Sequence, residues 1–101
     1  MAGGWKMPSC AACKRSLDDV ERDPNDAGGA LWEAQQHIDE VHRFPLRAIF
    51  QLGELRRQEA VEILRLCLGS YAVGGTCDEL LDILRGKYPQ LRQYSGQIRC
   101  E

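Results

Sequence analysis

The residues of this 101-residue chain whose types and spacing can do chemistry are Cys10 and Cys13, two residues apart, and His37 and His42, four residues apart. Cys10-Ala-Ala-Cys13 is a knuckle that can offer two thiolates to one metal ion. A histidine pair with four intervening residues falls within the spacing from which a helix presents two imidazoles to zinc. Together they supply four ligands, the number that closes a tetrahedral structural site. Two features count against the site. The halves lie 23 residues apart, wider than in a compact finger. On a regular helix five residues turn through about 500°, so the two imidazoles would diverge by roughly 140°. Shared coordination therefore requires the helix to tighten or distort near Phe44-Pro45, where 3₁₀ geometry is common. The alternatives are a two-cysteine site completed by other ligands, and no metal at all.

Other chemistries fit less well. A metalloprotease helix needs His-Glu-x-x-His, whereas here Glu40 sits in His37-Ile-Asp-Glu-Val-His42. A thioredoxin-like pair would follow a strand, and none precedes Cys10. Gly28-Gly29 and Gly74-Gly75 are doublets at helix boundaries, explained by turn geometry rather than by phosphate binding. No catalytic residue is assigned and the chain is not expected to be an enzyme.

The elements that must position these ligands are helical. Residues 1–9, with Gly3, Gly4 and Pro8, read as a flexible leader; 10–43 as the zinc-binding module; 44–95 as a helical core; and 96–101 as a polar, fraying tail, all in one domain. Residues 17–22 form at most a short helical turn before the cluster Asp23-Pro24-Asn25-Asp26. A helix over 30–43, capped by Asp26, gathers Leu31, Ala34, Ile38, Val41 and His42 on one side. Pro45 starts a second helix carrying Leu46, Ile49, Phe50 and Leu52 up to Gly53, which either breaks the helix or weakens it by roughly 1 kcal/mol. Residues 54–68 carry the strongest apolar stripe, ending at Gly69 and Gly74-Gly75. Glu62 and Arg65 can pair on its outer face. Thr76 and Glu79 match a capping box for a third strong helix, which Gly86 closes. Residues 90–94 can make one last turn. The expected fold is all-α, three to four helices with a zinc-stapled N-terminal arm.

Zinc matters because residues 1–29 hold few apolar side chains beyond Trp5, Leu17 and Val20. A module with so thin a core draws its folding energy from metal binding.

Charge narrows the partners. Residues 16–42 hold eight acids against Arg22, a local net of −7, within an overall net of −2. A nucleic-acid footprint is basic, so the histidine segment is poorly suited to a DNA groove. Residues 69–75 also look too long for a DNA-reading turn, and Asp78 and Glu79 would meet phosphates badly. The arginines Arg47, Arg56, Arg57 and Arg65 read as a solvated face, and Trp5 and Trp32 as core or interface anchors. A protein partner with a basic surface fits best. The expected role is a small regulator or inhibitor, with a zinc-finger-like nucleic-acid binder as the alternative. No run is long enough to span a membrane. Without an apolar leader, the odd count of five cysteines points to a reducing cytoplasm. Cys67, Cys77 and Cys100 are then free thiols, with a disulfide as the alternative in an oxidising compartment.

Overall fold

The computed structural model describes residues 9–22 and 29–100. They form α1 (Ala11–Arg22), α2 (Ala30–Glu40), α3 (Leu46–Leu52), α4 (Arg57–Ala72), α5 (Cys77–Lys87) and a 3₁₀ segment, Pro89–Tyr94. The fold is all-α, with no strand among the described residues. The leader up to Pro8, the turn cluster with Asp26, and Trp5 lie outside those residues.

α1 is longer than the sequence suggests. It begins directly after Cys10, and the Lys14 N–H closes the first turn on the Cys10 carbonyl at 3.1 Å. Cys13, Leu17 and Val20 fall at i, i+4 and i+7, a helical face led by a cysteine. Cys13 and Val20 are fully buried. α1 lies along α4 and against α2, and α4 also carries α5. The central stripe of α4 fills the core through Ile63, Leu64, Cys67, Leu68 and Tyr71. Gly69 does not stop this helix. Open space surrounds it, and the helix runs on to Ala72.

The end of α4 is a Schellman motif. Gly75 N–H donates to Ser70 O at 2.8 Å and Gly74 N–H to Tyr71 O at 3.2 Å, with Gly74 in the left-handed region at φ 81°. Any side chain at Gly75 would strike Ser70. The motif leaves only residues 73–76 between α4 and α5, shorter than the seven-residue connector expected. Length therefore no longer argues against a helix–turn–helix, but exposed Asp78 and Glu79 in the first turn of α5 still do. The Glu79 N–H donates to Thr76 Oγ1 at 3.3 Å, which is one half of the expected capping box; the Glu79 side chain does not return the bond.

Gly53 ends α3. A β-carbon there would lie 2.7 Å from Ile49 O and 3.0 Å from a Leu91 methyl, so the 3₁₀ segment packs onto the bare backbone. Gly86 is not a cap, since α5 continues to Lys87 before Tyr88. The tail is not frayed either. Ile98 is buried, Arg85 Nη2 donates to Ile98 O at 2.9 Å, and Cys77 and Cys100 form a disulfide. The reading of these two as free thiols is thereby corrected; Cys67 is free and buried as read. Glu62 and Arg65 do not pair with each other. Arg65 meets Glu21 at 3.4 Å and Glu62 meets Lys87 at 3.8 Å, both pairs about half exposed. Such pairs contribute little to stability.

Candidate metal centre

α1 and α2 bring Cys10, Cys13, His37 and His42 together, with all four ligand atoms within 4.8 Å of one another. Cys10 Sγ lies 3.4 Å from His37 Nε2, and Cys13 Sγ lies 3.3 Å from His42 Nε2. Around a tetrahedral zinc with bonds of about 2.3 Å to sulfur and 2.0–2.1 Å to nitrogen, adjacent sulfur and nitrogen atoms sit roughly 3.5 Å apart. The observed pairs match that edge to a few tenths of an ångström.

The end of α2 resolves the divergence of the histidines. His37 is helical, but α2 stops at Glu40 and His42 follows in a bend. Arg43 takes the left-handed conformation at φ 53, unusual for a residue with a side chain and costing about 1–2 kcal/mol. Phe44 N–H reaches back to Ile38 O at 3.3 Å, and buried Phe44 anchors the chain after the reversal. Phe44 precedes a proline, which disfavours helical geometry there. The imidazoles then meet edge to face with centroids 4.9 Å apart. The same reversal leaves Val41 61% exposed, off the apolar face assigned to it.

Tyr71 holds the site from two directions. Its carbonyl, which also accepts the Gly74 N–H, accepts the Cys10 N–H at 3.2 Å and so fixes the start of the knuckle. Its ring stacks on His42, with centroids 4.0 Å apart and planes within 10°. The hydroxyl is buried with no hydrogen-bond partner. Burial, then the nearby Cys67 and Cys13 sulfurs, pushes its pKa up to about 12. Tyr71 was not singled out from sequence because it reads as one more apolar position on the α4 stripe.

Electrostatics suit a metal that replaces protons. Burial, together with the hydrogen bond and charge of neighbouring Cys10, pushes the Cys13 thiol up to about 12 in the metal-free protein. Burial, then His37, lowers the His42 pKa and keeps that imidazole neutral. Two thiolates and two neutral imidazoles would balance a divalent cation, and their softness suits zinc.

The chain matches no family model, no curated protein and no solved structure. The chemistry of the four ligands is what the functional reading stands on.

Side chains that touch and orient metal ligands change metal affinity by about 10- to 100-fold. Tyr71→Leu, which removes the ring from His42, is expected to weaken zinc binding within that range. Tyr71→Phe keeps the stack and deletes only an unsatisfied hydroxyl, so its affinity should stay within a few-fold of the parent. Competition with a chromophoric chelator measures both.

Proposed function

We propose that the chain is a non-enzymatic zinc protein, a small regulator or inhibitor that works by contact with a protein partner. The observation that carries this reading is the closed set of four cysteine and histidine ligands. A tetrahedral ion held by all four has no open position for water or substrate, which is the pattern of a structural site. No helix among the described residues is long and apolar enough to cross a membrane. The cytoplasmic setting expected from the odd cysteine count and the absence of an apolar leader is not carried into this proposal, since the Cys77–Cys100 bridge is the pattern of an oxidising compartment.

Exposed side chains favour a partner with a basic face. Asp18, Asp19 and Glu21 on α1, and Glu33 and Glu40 on α2, are all exposed. Trp32, 58% exposed, stands beside Glu33 rather than in the core. An exposed tryptophan among acids suits a hot spot that complementary charge steers into place. A basic groove that ordinarily holds nucleic acid is one surface of that kind.

The four-residue connection between α4 and α5, with exposed Arg47, Arg56 and Arg57, is what favours the second reading, a nucleic-acid-binding regulator. Capture from the native host by the metal-loaded chain, eluted with a salt gradient, separates the two. The expected result is a basic protein retained by the parent and lost from a Trp32→Ala/Asp18→Lys/Asp19→Lys variant. Retention of DNA or RNA instead, with affinity falling steeply with salt and unaffected by those changes, would establish the second reading.

A further inference from the structure

Away from the metal ligands, an open groove of about 610 Å³ runs between the end of α2 and the C-terminal tail. Arg43, Pro45 and Ala48 line one wall, and Gln97 and Arg99 line the other. Each arginine sits on a backbone position held on both sides. Arg43 lies between the metal-site residue His42 and buried Phe44. Arg99 lies between buried Ile98, whose carbonyl accepts from Arg85, and disulfide-bonded Cys100. An exposed arginine loses rotamer freedom when it grips a ligand, and a backbone that is already fixed adds no further ordering cost.

Neither guanidinium has a carboxylate partner among the described residues. Asp39 also borders the groove, and its carboxylate offsets one of the two charges, leaving a net of +1 among the lining side chains. Its Oδ1 accepts the Arg47 backbone N–H at 3.3 Å, and its Oδ2 is out of contact with solvent. The charge the groove presents to solvent is therefore positive, within a chain whose net charge is −2.

Two planar, always-charged forks facing one cleft are suited to an oxyanion, which accepts paired N–H donors from each. Gln97 adds an amide beside Arg99, and Pro45 with Ala48 offers apolar contact for the body of a small molecule. We propose that this groove binds a small ligand carrying a carboxylate or phosphate group, held between Arg43 and Arg99.

The test uses the full, metal-loaded, oxidised chain titrated with benzoate and with phenyl phosphate. Amide and guanidinium resonances are followed by NMR at constant ionic strength. Saturable shifts at Arg43, Gln97 and Arg99 are expected with at least one probe, and the tighter probe identifies the anionic group. Arg99→Gln and Arg43→Asn should each weaken binding about tenfold, the scale of a lost charge-assisted hydrogen bond. Asn tolerates the left-handed backbone at position 43, and Arg99→Gln alters only an exposed side chain, so both variants should fold. No saturable shift with either probe, or an affinity in both variants equal to the parent's, overturns the proposal.

Discussion

Removing the metal is expected to release α1 and the end of α2 from the rest of the protein. α1 buries Cys13 and Val20 completely and Leu17 in part, a thin apolar face of which one member is itself a ligand. Structural zinc contributes on the order of 10 kcal/mol in small modules near neutral pH, against a typical net stability of about 5–15 kcal/mol. Stripping the ion with a strong chelator should lower the melting temperature by about 20 °C or more, since 1 kcal/mol shifts a domain of this size by roughly 4–8 °C. Amide exchange in α1 should rise together with that drop, and Cys13→Ser and His42→Ala should reproduce both effects.

The pH dependence follows from the same groups. Zinc must displace the Cys13 proton, so affinity should fall as pH is lowered, by about tenfold per unit for each proton released. In the metal-free protein the lowered His42 pKa contributes stability above its unfolded value near 6.5, lost as pH falls. The raised Cys13 pKa contributes stability below its unfolded value of 9.0, lost as pH climbs toward about 12. The metal-free chain should therefore be most stable between those two limits.

The disulfide gives the second large effect. Cys77 and Cys100 are 23 positions apart, and closing a loop of that length removes about 3 kcal/mol of freedom from the unfolded chain in the entropy model. A Cys77→Ser/Cys100→Ser variant should melt roughly 10–20 °C lower and lose exchange protection around Ile98. Its zinc content should be unchanged, because neither cysteine belongs to the four-ligand cluster. An unchanged melting temperature would show that Ile98 and the Arg85 hydrogen bond hold the tail without the bridge.

What the sequence discloses depends on how many roles each residue plays. The α4 stripe is plain because Ile63, Leu64, Cys67 and Leu68 do one thing, pack. The ligand cluster is legible because two-residue and four-residue spacings carry geometric information. α1 is obscured because Cys13 is both a candidate ligand and the first core residue of its helix. Val41 is misplaced because α2 is stopped by Arg43 in a left-handed conformation, with no glycine to mark it. The tail reads as loose because one isoleucine and one cysteine are a faint local signal, and cysteine partners are fixed by the fold. Tyr71 is invisible as an organiser for the same reason: its carbonyl meets Cys10 at the end of α4, and its ring meets His42 only after α2 has reversed.

X-ray absorption at the zinc edge, on protein purified without added metal, tests the central claim most directly. One zinc per chain is predicted, with two sulfur neighbours at about 2.3 Å and two nitrogen neighbours at about 2.0 Å. An absence of stoichiometric metal, or a first shell containing oxygen in place of any of these ligands, would contradict it.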